Sequence, residues 1–185
     1  ILTHPHADHV GGLVEVLKRY KVSGVLFTGA IYEDSYYNEF LNEIDEQNIP
    51  IYIADAKADF HFDDVFFDVI YPFEQIAGDS FENINNSSIA MKVVYKDKEI
   101  LLTGDLEKEA EDELILRGTD LSADILKAGH HGSKTANSLE FLKKVKPEFF
   151  VISCGAGNKF GHPHKETLDN LEQAGIEKIY RTDMN

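Results

Sequence analysis

Seven of the eight histidines stand in polar loops that directly follow short apolar runs; only His61 lies elsewhere. His4, His6 and His9 follow Ile1-Leu2-Thr3, which reads as a strand. His130 and His131 follow Ile125–Gly129, and His162 and His164 follow Phe150–Gly161. Such clustering constrains the fold, because α/β sheets gather polar, site-building loops at the carboxyl ends of their strands. The rest of the pattern agrees. Runs suited to strands are Val25–Thr28, Ile51–Ala54, Val65–Tyr71, Ile89–Tyr95, Glu99–Thr103, Asp124–Lys127, Phe149–Ser153 and Lys178–Tyr180. Amphipathic stretches predict helices over His9–Tyr20, Ser35–Gln47, Glu107–Arg117, Ser138–Val145 and Lys165–Ala174. Regular alternation of this kind gives an α/β layered fold. Phe60–Tyr71 reads as a hairpin-like edge, and the aromatics of Tyr36–Phe40 and Phe60–Phe73 as core and edge-strand packing.

The first loop carries the densest chemistry. In an extended segment side chains alternate, so His4, His6 and Asp8 share one side. His9 opens a helix and departs in another direction. Four donors at this spacing suit two cations, with His4 and His6 on the first and Asp8 and His9 on the second. Imidazole and carboxylate without thiolate suit Zn²⁺, Mn²⁺ or Fe²⁺. The helix N-terminus adds a positive partial charge favourable to a bound anion. Gly11-Gly12 then places two glycines in the first helical turn, costing roughly 1 kcal/mol each against alanine. Close packing beneath the loop is the expected reason.

A length of 185 residues suits one domain, 1–185, with a core that needs no disulfides. Cys154 stands alone and reads as a reduced core thiol. No apolar run is long enough to span a bilayer, so this segment inserts in no membrane. The sequence opens at Ile1 without Met, inside an apparent strand, and so reads as a fragment of a longer chain. Its 33 acidic and 18 basic residues leave a net charge of −15, which argues against a free-standing nucleic-acid binder. A phosphate-ester substrate stays compatible, because bound divalent cations reverse the sign locally.

Thr3-His4-Pro5-His6-Ala7-Asp8-His9-Val10-Gly11-Gly12 resembles the signature of the metallo-β-lactamase superfamily. Three further segments, Leu102–Asp105, Lys127–Ser133 and Asn158–Pro163, together with Tyr180–Asp183, are similar to the hydrolase domain of the ComEC competence family. The resemblance implies a four-layer αββα sandwich, here lacking the strands that usually precede the first motif. It implies two divalent ions, Zn or Mn, held by His4, His6, Asp8, His9, Asp105 and His130. Asp105 would bridge the two ions and His130 would close the second. Most superfamily members place another histidine on the first ion, between the first motif and the bridging aspartate. Asn83-Ile84-Asn85-Asn86-Ser87-Ser88 occupies that place, leaving the first ion with His4, His6 and Asp105. His131 completes that shell only if adjacent residues, which usually point apart, both face the site.

The reaction expected is phosphodiester hydrolysis by a hydroxide held between two cations. Asp8 would orient it, and Gly132-Ser133-Lys134 would donate to non-bridging oxygens. His131, Asn158, His162 and His164 would contact substrate or protonate the leaving oxygen. The resemblance implies single-stranded DNA as substrate and a soluble domain attached to the transmembrane portion of a bacterial cell-membrane protein. Three alternatives use the same residues: hydrolysis of a small phosphoester such as phosphorylcholine, of a lactone or thioester, or an inactive metal-binding module.

Overall fold

The computed structural model describes residues 1–184, built from nine strands and five α-helices among the described residues. The chain begins with α1 (Ala7–Arg19), β1 (Val25–Phe27), α2 (Ser35–Glu46) and β2 (Ile51–Ile53). Five strands and a helix follow: β3 (Phe60–Phe62), β4 (Val65–Tyr71), β5 (Ala90–Tyr95), β6 (Lys98–Leu102), α3 (Lys108–Leu116) and β7 (Ile125–Lys127). The last elements are α4 (Leu139–Val145), β8 (Phe149–Ile152), α5 (Lys165–Gln173) and β9 (Ile179–Arg181). Among the described residues no helix is long and apolar enough to cross a membrane.

Strands β1 and β2 pair in parallel as a small sheet. The other seven form one sheet in sequence order, β3 to β9. Pairing from β3 through β6 is antiparallel, with tight turns joining β3 to β4 and β5 to β6 and the longer segment 72–89 joining β4 to β5. Pairing from β6 through β9 is parallel. A parallel neighbour requires a crossover, and α3, α4 and α5 supply the three. Right-handed crossovers in a constant direction put all three helices on one face. Their apolar residues Ala110, Leu114, Phe141, Leu142 and Leu171 accordingly pack against Leu101, Leu126 and Phe150 of the sheet.

Two more cores define the remaining layers. Val10, Val14 and Leu17 of α1 recur at helical spacing and meet Tyr37, Phe40 and Ile44 of α2 over Val25 and Phe27 of β1. Leu26, pointing from the opposite face of β1, packs instead with Val69, Ile89 and Met91 of the large sheet. Three apolar interfaces separate four layers, helices, sheet, sheet and helices, which is the expected αββα sandwich. The Phe60–Tyr71 hairpin forms with Phe60 paired to Phe67.

Three local expectations need correction. Ile1-Leu2-Thr3 is not a strand: Leu2 N–H reaches the Leu26 carbonyl and the Thr3 carbonyl accepts from Ile89, which wedges the segment between the sheets without a ladder. The two helical glycines have no tight packing to explain them, since a Cβ on Gly12 would meet open space and one on Gly11 only ordinary contact with Tyr36. Cys154 packs against the edge of the main core but is only half-buried and also lines a cleft, because β8 has ended at Ile152.

Candidate metal centre

Parallel pairing from β6 to β9 aligns four strand ends on one edge, and the loops leaving them line a cleft of about 610 Å³. Asp105 comes from the end of β6, His130 and His131 from β7, Ser153, Cys154 and Gly155 from β8, and Thr182 from β9. The start of α1 closes the opposite side with His6, Ala7 and Asp8. His6 is the extended N-cap and the helix begins at Ala7 instead of His9, so Asp8 is helical and does not share an extended face with His4 and His6 as alternation predicted.

Asp105 lies at the focus. Its Oδ2 is 3.3 Å from His9 Nε2, 3.5 Å from His131 Nε2, 3.8 Å from His4 Nε2 and 3.9 Å from His130 Nε2. Its Oδ1 is buried without a hydrogen-bond partner. Gly104, at φ +56°, makes the turn that delivers this carboxylate, and Ser88 Oγ accepts the Asp105 N–H at 3.0 Å. Elsewhere ring nitrogens face one another: His4 Nε2 and His6 Nδ1 at 3.1 Å, His9 Nε2 and His131 Nε2 at 3.2 Å. Such pairs repel unless a proton or a cation lies between them. His4, His9 and Asp105 form one group able to hold a cation; Asp8, His9 and His131 form another. An orphaned buried carboxylate oxygen and converging imidazole lone pairs make this donor set fit divalent ions.

The charges are strongly coupled. Burial, then the neighbouring His9, lowers the His4 pKa to about 3. Burial acts to raise Asp105, yet hydrogen bonds from His131 and His9 outweigh it and hold the carboxyl well below its usual range. Asp8 is lowered to about 2, chiefly by its contact with His131. Hydrogen bonds to Asp105 and then Asp8 push His131 up to about 10. Its other nitrogen, Nδ1, donates to the Ser153 carbonyl at 2.8 Å, so Nε2 is the atom that faces the carboxylates.

Two adjacent histidines face the cleft because both adopt left-handed backbone, His130 at φ 45° and His131 at φ 55°. Buried groups enforce that turn. Asn137 accepts from Gly129 N–H and donates to the Gly129 carbonyl, both at 2.9 Å. Glu111, in turn, accepts the backbone N–H groups of Asn137 and Ser138 at 2.6 and 2.9 Å. It is His131 that joins the group of Asp8 and His9. His130 turns its Nδ1 to Glu107 at 3.1 Å.

Several sequence candidates are spent on the backbone. Ser133 is buried, does not line the cleft and pairs with the Thr135 hydroxyl at 3.0 Å, so it offers nothing to an oxyanion. Asn158 lines the cleft but its amide closes its own loop, donating to the Gly155 and His162 carbonyls and accepting from His162 N–H. His164 Nδ1 accepts the Lys134 N–H at 3.0 Å. His162 does line the cleft, stacked between His131 and Phe160. Burial and the adjacent His130 lower its pKa to about 4, leaving it neutral at pH 7. Glu107 was missed, because an acidic residue opening a helix reads as solvated surface. Its place two residues after Asp105 was the available signal.

Residues 1–156 match the metallo-beta-lactamase superfamily. The whole chain is 33% identical over 185 residues to ComE operon protein 3 of Bacillus subtilis (strain 168), of which it covers 23%. It is 31% identical over 188 residues to competence protein ComA of Neisseria gonorrhoeae, covering 24% of that protein. The chain therefore spans about a quarter of the length of the curated relatives it matches. CmlA, a diiron beta-hydroxylase from Streptomyces venezuelae, superposes on 97% of this chain and 42% of its own, with TM-score 0.60 and 12% identity, a likeness of fold. With this fold and this histidine signature, the chain belongs to the metallo-β-lactamase superfamily.

Proposed function

We propose that the chain is a metal-dependent phosphodiesterase that cleaves nucleic acid, most simply single-stranded DNA, within a longer membrane-attached protein. The observation that carries this is Asp105: one carboxylate oxygen within 3.9 Å of four imidazoles, the other buried and unpartnered. His4, His6 and Asp105 would hold one cation, and Asp8, His9, His131 and Asp105 the second. A pair of divalent ions, Mn²⁺ or Zn²⁺, brings water to a near-neutral pKa and offsets charge on phosphate oxygens. Asp8 is ionised at neutral pH and partly exposed, so it can also accept a hydrogen bond from the attacking water. His162, neutral and walled by Phe160, can donate one N–H to a phosphate oxygen but holds no spare proton at pH 7 for the leaving group. Water in the open cleft is left to protonate it.

The competence relatives support DNA as the substrate class, and the −15 charge sets a condition on it. The cations reverse the sign only locally, so strand affinity must come from elsewhere in the longer protein. The test is turnover by Mn²⁺-loaded chain on a single-stranded oligonucleotide, bis-p-nitrophenyl phosphate, phosphorylcholine esters and a lactone. Cleavage of the first two supports the proposal. Turnover confined to the lactone or to the phosphorylcholine ester would end it.

Cation loading has its own signature. His131 must lose its proton to ligate, so uptake near pH 7 is expected to release about one proton per chain. Calorimetric titrations in two buffers of different ionisation enthalpy read this directly; identical heats would show that His131 does not titrate. The sign for the metal-free chain follows from the same shift. A pKa raised from 6.5 to about 10 stabilises the fold fully below pH 6.5, and that contribution is lost as pH rises towards 10. Metal-free protein should therefore melt at progressively lower temperature between pH 7 and 10.

A further inference from the structure

The Asn83–Asn86 segment stands where the superfamily resemblance calls for a histidine, yet none of its residues lines the cleft. Its side chains converge on Glu107. Asn83 Nδ2 donates to Oε2 at 2.9 Å and Asn85 Nδ2 to Oε1 at 2.8 Å, while Asn86 Oδ1 accepts the Glu107 N–H at 2.9 Å. Glu107 is thereby held from both its side chain and its backbone, with its side chain 13% exposed. The oxygen bound by Asn85 is the one 3.1 Å from His130 Nδ1. Thr135 Oγ1 lies 3.3 Å from the same nitrogen.

A carboxylate at Nδ1 keeps the imidazole proton there, orients the ring and makes the far nitrogen a better donor to a metal. The far nitrogen of His130, Nε2, points to Asp105 Oδ2 at 3.9 Å. His131 Nε2, 3.5 Å from the same oxygen, is also engaged with Asp8 and His9, each at 3.2 Å. We infer that His130 supplies the ligand missing from the His4, His6 and Asp105 cation, and that Glu107, clamped by the three asparagines, is the positioning residue that aims it. The adjacent histidines then serve different ions, which is what their shared left-handed turn achieves. This inference rests on the two-cation reading above and is independent of the substrate.

The experiment is Mn²⁺ titration of the purified chain, with free Mn²⁺ read by electron paramagnetic resonance and folding by near-ultraviolet circular dichroism. Wild type is expected to bind two equivalents. His130→Ala should bind one. Glu107→Gln presents an amide N–H₂ to donors that need an acceptor, and should weaken one equivalent about 10- to 100-fold while sparing the other. Glu109→Gln, at a carboxylate that accepts a long 3.3 Å hydrogen bond from Asn86, should match wild type. Two unaltered equivalents in either His130→Ala or Glu107→Gln overturn the inference, as does a wild type that binds one. Equal weakening of both equivalents in Glu107→Gln does so too, because it would reveal a merely structural role. Should His130→Ala fail to fold, Glu107→Gln decides alone. A wild type that binds two Mn²⁺ yet cleaves no phosphodiester defeats the proposed function and leaves this assignment standing.

Discussion

Asp105→Asn is expected to lower hydrolysis roughly 10³-fold or more, about 4 kcal/mol of transition-state stabilisation. The substitution keeps size and shape, so the loss isolates the charge. Asp105 places Oδ2 within 4 Å of four imidazoles, His4, His9, His130 and His131, with His9 at 3.3 Å and His130 at 3.9 Å marking the range. An asparagine turns one carboxylate oxygen into a donor aimed at ring nitrogens, which would leave each of the two proposed cations short of a negative ligand. Affinity for both Mn²⁺ equivalents should fall, in contrast to the selective effect expected at Glu107. Proton release on loading should shrink as well, because His131 owes its raised pKa first to Asp105. The metal-free variant should also be less stable at neutral pH. A carboxyl depressed by its partners stabilises above its unfolded pKa near 3.8, and the amide forfeits that. Turnover within tenfold of wild type would show that hydrolysis does not run through this carboxylate.

Layer architecture was legible because it rests on periodicity. Val10, Val14 and Leu17 announce a helix face, and the apolar runs that became β5 to β8 announce buried strands. The gathering of histidines at one edge followed from strand direction alone. What failed depended on hydrogen-bond partners remote in sequence. Ile1-Leu2-Thr3 has strand composition, but only Leu2 and Thr3 find single partners, Leu26 and Ile89. Ser133, Asn158 and His164 have side chains suited equally to substrates and to backbone groups, and the loops required them. Nothing local distinguishes those uses.

The histidine pair shows the limit most clearly. Adjacent side chains diverge in extended or helical backbone, so the sequence favoured one ligand and one bystander. Left-handed geometry at both residues defeats that expectation, and its cause is Asn137, seven residues beyond His130, bonded to Gly129 on both its N–H and its carbonyl. The partners of Glu107 are equally remote, since Asn83 and Asn85 lie 24 and 22 residues upstream. Motif and periodicity locate a candidate metal centre; the backbone around it decides which ring nitrogens face it.

That dependence on backbone predicts a second large effect. Gly104→Val should destabilise the chain by roughly 2–5 kcal/mol, combining left-handed strain with overpacking. At φ +56° a β-branched residue is strongly disfavoured, and the added Cβ would lie 2.9 Å from Ser88 Cβ and Oγ and 3.1 Å from Thr3 Cβ. Both neighbours are fixed: the Thr3 carbonyl accepts from Ile89, and Ser88 Oγ holds the Asp105 N–H. Relief of the clash therefore moves the Asp105 carboxylate. For a chain of this length the melting temperature should fall about 5–15 °C, with cation affinity lost alongside it. Gly12 supplies the contrast within the same scaffold. It is exposed in the middle of α1, a Cβ there meets nothing within 4 Å, and Gly12→Ala should raise stability by up to about 1 kcal/mol. Thermal melts of the two variants check the pair, and a Gly104→Val chain as stable as wild type would mean that the turn into Asp105 does not need glycine.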